Sequence, residues 1–408
     1  MRLLYQLGVE AYVALVRLIA PFNHKASLWV DGRKNPSERI EPLGHYEGAL
    51  WMHCASVGEF EQGRPVFEAL KQRYPEKKAI VSFFSPSGFE ARKNWPGADL
   101  VFYLPVDRKR TMRALVTRLK PSAVVWVKYE FWFNALAELH RQHIPVFLVS
   151  GVFRPSQHFF QFWGGWFSRQ LHHFSLCFVQ DVNSRDLLRS VGVDADVVGD
   201  TRFDRVLQIA KEPFNDALIE AFAASGLTLV AGSTWPADEV ILAEAVLNSN
   251  WKLVLVPHEI TDEHLRQIDE RFPSAVWYSK ASVELASSAN VLVIDCMGML
   301  SKLYRFGQAA YVGGGFGAGI HNTAEAAVYG IPVVFGKRFQ KFNEAIQLIA
   351  SKGGYSINEA SALRALLTGW EQNPAQREAS GREAKKLIEQ GSGATLTIVT
   401  AIAACIEN

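Results

Sequence analysis

Two Rossmann-like α/β domains in tandem, preceded by an apolar helix, are what this sequence predicts. Three observations carry that expectation. Apolar runs of strand length alternate with helix-spaced patterns along most of the chain, the mark of parallel βαβ units. At 408 residues the chain is too long for one ordinary core, and about two domains of ~200 residues are expected. A polar, proline-containing stretch at 211–215 then separates two sets of alternations. The expected division is a membrane-anchoring helix over 1–22, a first domain over 23–210 and a second over 211–408, the two domains facing a cleft.

The amino terminus comes first. Positions 3–20 are almost all apolar, interrupted by Gln6, Glu10 and Arg17, which fall within ~40° of one another at helical pitch. Glu10 in mid-segment and the lack of a small-x-small site argue against a cleaved signal peptide. Free spanning would put a Glu and an Arg into lipid at a cost of at least ~2.5 kcal/mol each near the centre. A helix lying in the membrane interface, or dipping into one leaflet, fits better; packing on the protein's own surface is the other reading. Residues 1–40 hold six Lys/Arg (Arg2, Arg17, Lys25, Arg33, Lys34, Arg39) against Glu10, Asp31 and Glu38, a mild basic excess suited to anionic headgroups.

Strands are then expected at 49–53, 79–85, 100–104, 123–127, 144–150, 175–179 and 195–198, with helices between. The second half repeats the pattern with strands at 227–232, 252–256, 275–278, 291–294, 309–313 and 332–336. From 361 onward the tail reads as helical, broken at 391–393.

Composition narrows the functional classes. With 49% hydrophobic and 21% charged residues the chain is globular rather than disordered. A net charge of +2 gives no reason to expect nucleic acid as a partner. Cys54, Cys177, Cys296 and Cys405 are far apart without a C-x-x-C pair, so neither a zinc site nor a disulfide framework is expected.

Chemistry-bearing residues gather at expected strand ends, where ligands of open α/β sheets bind. After the first strand, Ser56-x-x-Glu59 opens a helix. This is a capping-box pattern, and it also presents a carboxylate to the ligand side, so Glu59 is a catalytic candidate. Glu130 follows the fourth strand in Lys128-Tyr129-Glu130. In the second half the glycines of 313–319, with Gly314 and Gly315 among them, let backbone approach a ligand closely, and a helix start favours a phosphate. Gly313-x-Gly315-x-x-Ala318 loosely matches a dinucleotide fingerprint but lacks the ribose-binding acid about 20 residues on. Asn322 and Glu325, one turn apart, suit a sugar's hydroxyls, or else Asn322 caps a helix. Ser233, His258 and Met297-Gly298 occupy three further strand ends. Asp194-Ala195-Asp196 imitates a metal-holding D-x-D but sits in a loop entering a strand, and His172-His173 are adjacent, so no metal site is expected. The aromatic run at 159–167 reads as core or, beside Arg154 and Arg169, as a landing surface for an acyl lipid.

The whole set of strand-end motifs is similar, in order and spacing, to one family. H-C-A-S-V-G-E-F, K-Y-E-F-W-F-N, G-D-T-R-F-D, A-G-S-T, V-P-H-E, D-C-M-G-M-L and G-G-G-F-G-A-G-I-H-N-T-A-E resemble the 3-deoxy-D-manno-octulosonic acid (Kdo) transferases of lipopolysaccharide synthesis. The resemblance covers nearly the whole chain, including the amino-terminal helix and the L-W-V-x-G-R-K after it. It implies an inverting GT-B glycosyltransferase that takes Kdo from CMP-Kdo to a lipid A precursor at the cytoplasmic face of the inner membrane, with no cofactor. It places the catalytic base on Glu59 and a second glutamate on Glu130. The CMP-binding positions fall on Ser233, His258, Met297, Gly298, Gly314, Gly315, Asn322 and Glu325. Ser56, Arg154 and Arg169 are the acceptor-side candidates. The chain departs from the common pattern at Lys128, Phe133 and Ile320, and at His258, where the family often has a phosphate-facing arginine. Rival readings are another GT-B nucleotide-sugar transferase or epimerase, a dinucleotide-dependent oxidoreductase and a non-catalytic lipid-binding protein.

Overall fold

The computed structural model describes all residues except Tyr129, Asn248 and Asn408, so the tyrosine of the K-Y-E motif lies outside the described residues. The chain forms two compact units. One is Met1–Asp204 joined by the C-terminal stretch from Ser392; the other is Arg205–Gly391.

The first unit is built on a seven-stranded sheet of β1 (Leu50–Cys54), β2 (Ala79–Phe83), β3 (Leu100–Tyr103), β4 (Ala123–Val127), β5 (Val146–Gly151), β6 (Leu176–Val179) and β7 (Asp196–Val197). All neighbours pair in parallel, in the order β3-β2-β1-β4-β5-β6-β7. The central strands are buried along their whole length, which is why they read as continuous apolar runs rather than alternating ones. On one face Trp51, Trp126 and Leu148 pack with Leu136 and Leu139. On the other, Met52, Val125 and Phe147 pack with Phe60, Val66 and Phe67 of the helix Val57–Arg73.

That second face also takes Ile398, Val399 and Ile402 of the last helix, Ala394–Glu407. The expected second domain, 211–408, therefore differs from the observed units: its final helix belongs to the first. Asp204 accepts the amides of Gly393 and Thr395 at 2.6 and 2.7 Å, and Arg73 pairs with Glu407 at 3.0 Å. Helical periodicity shows that such a segment has an apolar face but not which core receives it.

The second unit holds β8 (Thr228–Thr234), β9 (Lys252–Pro257), β10 (Val276–Trp277), β11 (Val291–Val293), β12 (Ala309–Val312), β13 (Val333–Gly336) and β14 (Gly354–Ile357). Its order is β10-β11-β9-β8-β12-β13-β14, again parallel throughout. β14 was not expected. Its Gly-Tyr-Ser-Ile sequence is short, with Gly and Ser breaking any apolar run, and its pairing to β13 makes it a strand.

In each sheet the chain starts in the middle, winds to one edge, then returns and winds to the other. The connections leaving the two central strands diverge, which opens a crevice at their carboxyl ends. In the first unit those strands are β1 and β4; in the second they are β8 and β12.

The amino-terminal helix Arg2–Ile19 lies on the first unit through Val9 and Val13. Tyr5 donates to Asp107 at 2.6 Å and Glu10 pairs with Arg108 at 2.6 Å. Of the polar stripe, Glu10 thus ties the helix to the protein, whereas Arg17 is exposed. Leu3, Leu4, Leu7, Leu15, Leu18, Ile19 and Phe22 point outward, exposed, on a helix long and apolar enough to cross a membrane.

Candidate active site

Glu59 is held in the first crevice by its own backbone. Ser56 is the extended N-cap of Val57–Arg73, and its Oγ accepts the Glu59 amide at 3.4 Å. Glu59 Oε2 accepts the Ala55 amide at 2.5 Å, one residue before the amide a capping box uses. The helix sits hard against the sheet because Gly63 lacks a side chain: a Cβ there would lie 2.6 Å from Val127 and 2.7 Å from the Met52 sulfur. Glu59 is buried in consequence.

Glu130 reaches the same crevice from β4. Lys128 takes a positive φ of 67°, turning the chain, and the Trp126 indole donates to the Glu130 carbonyl at 2.5 Å. Burial, and then the negative charge of Glu59, raise the Glu130 carboxyl to about 7; the Trp132 indole and Arg33 oppose that. The indole does so without hydrogen-bond geometry, for Glu130 Oε2 and Trp132 Nε1 are both buried and unbonded among the described residues. Raised this far, Glu130 can carry a proton near neutral pH and then donate a hydrogen bond beside Glu59.

Arg33, read from the sequence as part of a basic excess and of the L-W-V-x-G-R-K stretch but given no role in the site, lies under it. Its guanidinium donates to the carbonyls of Leu104 (2.9 Å), Trp29 (3.3 Å) and Phe84 (2.6 Å). It also lies over the rings of Trp29, Phe84 and Tyr103 at 4.3, 4.8 and 5.1 Å. Burial lowers it to about 9. An apolar cavity of about 430 Å³, lined by Tyr5, Val9, Tyr12, Trp29 and Trp132, runs beneath the amino-terminal helix and includes Glu130 and Asp107 in its wall.

The aromatic run splits between the two roles read from sequence. Phe159 is core, whereas Phe162 and Trp163 are exposed. Trp166 lies 5.9 Å from the Tyr5 ring, so this segment adjoins the amino-terminal helix. Arg154 and Arg169 are exposed.

In the second unit the glycines are demanded by packing. A Cβ on Gly313 would lie 2.3 Å from Ser233 O, one on Gly315 2.6 Å from the backbone of Gly336, and Gly314 has a φ of +91°. Ser233 itself has a φ of 53°. Asp238, which sequence reasoning missed, organises the loop. It accepts the Trp235 amide (3.0 Å), the Gly314 amide (2.9 Å) and the Tyr311 hydroxyl (2.7 Å). The Trp-Pro-x-Asp capping pattern at 235–238 was the available signal.

His258 and His321 stack with ring centres 4.2 Å apart, and the Trp235 indole donates to His321 Nε2 at 3.0 Å. Asn322 accepts the Ala324 amide at 3.1 Å and donates to Glu325 at 3.0 Å. The helix that follows, Ala324–Ala327, is a single turn, too short to offer the helix-end phosphate site the sequence led one to expect. Ser233, His258, Gly314, Gly315 and Asn322 thus gather around β8, β9 and β12. Met297 and Gly298 are exposed in the turn after β11, farther along the same sheet edge. Asp196 is exposed on the edge strand β7. Among the described residues no group of three or more His, Cys, Asp or Glu is placed to hold a metal.

Comparison with known proteins gives this geometry a family. The model of the 3-deoxy-D-manno-octulosonic-acid transferases matches residues 31–205, which include both Glu59 and Glu130. A 3-deoxy-D-manno-octulosonic acid transferase of Chlamydia trachomatis is 27% identical over 370 residues, 86% of this chain and 84% of the relative. That of Aquifex aeolicus is 26% identical over 337 residues, 80% of this chain and 87% of the relative. Over most of its length the chain is similar to the Kdo transferases. It is therefore a glycosyltransferase. Its fold matches a UDP-GlcNAc 2-epimerase from Neisseria meningitidis with a TM-score of 0.58 at 14% identity, over 84% of this chain and 99% of that one. The two parallel-sheet units are accordingly of the GT-B type. The family-model match covers the first unit's glutamates, whereas Ser233, His258, Met297, Gly298, Gly314, Gly315, Asn322 and Glu325 all lie in the second unit.

Proposed function

We propose that this chain transfers Kdo from CMP-Kdo to a lipid A precursor, lipid IVA, with inversion at the anomeric carbon. The observation that carries the reading is the buried Glu59 beside Glu130 at the first unit's switch point, with an apolar cavity reaching the same place. Glu59 is the general base that takes the proton of the attacking acceptor hydroxyl. Glu130, when protonated, donates a hydrogen bond there without adding a second charge. The second unit binds the donor: the glycine loop and the imidazoles of His258 and His321 receive the phosphate, and Asn322 and Glu325 receive the ribose. No step requires a metal. Incubation with lipid IVA and CMP-Kdo, beside a panel of other activated sugars, tests this. The expected product is lipid IVA heavier by Kdo; transfer of a different sugar alone would overturn the assignment.

The same reading puts the enzyme at the cytoplasmic face of the inner membrane. The outward leucines of Arg2–Ile19, with Phe22, Phe162 and Trp163, supply apolar contact, and Arg154 and Arg169 face headgroups. Replacing Leu4, Leu15 and Leu18 together by Ser removes several kcal/mol of apolar burial at ~1.5–3 kcal/mol for each fully buried side chain. Binding to anionic vesicles, measured by sedimentation, is expected to weaken at least ~tenfold while turnover on a water-soluble acceptor analogue stays near that of the parent. Unchanged vesicle binding would remove the helix from this role.

A further inference from the structure

Three rings stack over the carboxyl ends of β8, β9 and β12. Trp235 lies 4.8 Å from His258 and 6.4 Å from His321, and the two imidazoles are 4.2 Å apart with their planes 26° off parallel. The indole N–H can only donate, so its 3.0 Å bond to His321 Nε2 makes that nitrogen the acceptor. His321 is thereby fixed as the neutral tautomer with its proton on Nδ1, and a second proton on Nε2 would have to break the indole bond. His258 has no such restraint. It is partly exposed, while His321 stands with Asn322 at the end of the glycine loop, its amide bonded to Gly313 O at 3.1 Å.

We propose that His258 takes up a proton when the phosphate of the nucleotide binds, while His321, locked neutral by Trp235, serves as a fixed N–H donor beside it. This rests on the donor reading above. Two imidazoles in van der Waals contact cannot both be charged cheaply, so locking one neutral leaves the other free to titrate. Burial lowers both rings; His321, lowered further by its neighbour, falls to about 4. An arriving phosphate reverses the balance at His258 by favouring its charged form.

The surrounding charges are otherwise committed. On its own loop Glu259 draws His258 upward. From the helix Pro236–Val246, Asp238 is occupied with Trp235, Gly314 and Tyr311, and Glu239 with Thr234, His264 and Arg271. From Asp262–Arg271, His264 bonds the Glu259 carbonyl. After β13, Arg338 donates to Gly317 O, and Glu325 accepts from Asn322.

The chemistry gains from this arrangement. When Kdo leaves, its phosphodiester, with one charge, becomes the phosphomonoester of CMP, whose second pKa is ~6. A proton held on His258 stabilises the added charge as the bond to the anomeric carbon breaks, and the acceptor's proton leaves by way of Glu59.

Calorimetric titration of the full chain with CMP between pH 7 and pH 9, in two buffers of different ionisation enthalpy, tests the proposal. CMP is dianionic over this range, so its own titration does not interfere. Expected are uptake of up to one proton per CMP and a dissociation constant that rises with pH, by as much as ~tenfold per unit. His258→Arg, permanently charged, should bind CMP with no uptake and a flat pH profile. Trp235→Phe should let His321 share that proton, with uptake staying at or below one per CMP. CMP binding by the parent without proton uptake, or uptake unchanged in His258→Arg, would overturn the proposal and leave the donor reading standing. Failure of the parent to bind CMP would overturn both.

Discussion

Glu59→Gln is expected to leave the chain folded and CMP binding intact while lowering turnover by about 10²–10⁴-fold, the usual worth of a positioned general base. The amide keeps the shape of the side chain, and its oxygen can still accept the Ala55 amide that Glu59 Oε2 accepts at 2.5 Å. The cap at Ser56 is untouched, since there the acceptor is the serine oxygen. What the glutamine cannot do is take a proton. A glutamate present only to cap the helix would predict the opposite balance: a stability loss of about 1 kcal/mol and near-normal turnover. Measured kcat within about threefold of the parent would therefore sink the catalytic assignment. Glu130 sharpens the test. Its carboxyl stands at about 7, raised by burial and by Glu59. In Glu59→Gln the neighbouring negative charge is gone, and Glu130 should titrate at lower pH than in the parent, a shift readable by carboxyl-labelled NMR even where activity is lost.

How much of this was legible beforehand depended on distance along the chain. The two parallel sheets, and thirteen of the fourteen strands, announce themselves through local alternation of strand and helix patterns. Glu59, Glu130 and the glycine loop stand out because a strand, a turn and a helix start are contiguous in sequence. Features that depend on remote partners were not legible. Arg33 gains its meaning from Leu104, 71 residues away, and from three rings that close over it. The helix Ala394–Glu407 looked like the end of the second domain because nothing in its own residues names the first core. β14 becomes a strand by pairing with β13. The His258–His321 contact joins two loops whose residues each read as ordinary strand-end polar positions, and the bond from Trp235 that decides the tautomer spans 86 residues.

Asp238→Ala is expected to be the most damaging single change in the second unit. The carboxylate is buried and accepts three donors: the Trp235 amide, the Gly314 amide and the Tyr311 hydroxyl. Removing it strands all three in an apolar setting, at ~1–3 kcal/mol for each buried group left unsatisfied, and the sum is less than additive because the loop can relax. A loss of about 3–5 kcal/mol in the stability of this unit follows, readable as a lowered urea midpoint. Relaxation carries its own cost to function. Gly314 is held at a φ of +91° with its amide tied down, and freeing it moves the glycine loop together with His321, whose amide bonds Gly313 O at 3.1 Å. CMP affinity should fall at least ~tenfold in the same variant. Asp238→Asn separates the two consequences. Its carbonyl oxygen can still accept the two amides, and its amide group can donate to the Tyr311 hydroxyl, which turns to accept. That variant should recover most of the CMP affinity and most of the stability. If alanine and asparagine at 238 both bind CMP as the parent does, the loop needs no anchor there, and the positioning role given to Asp238 is wrong.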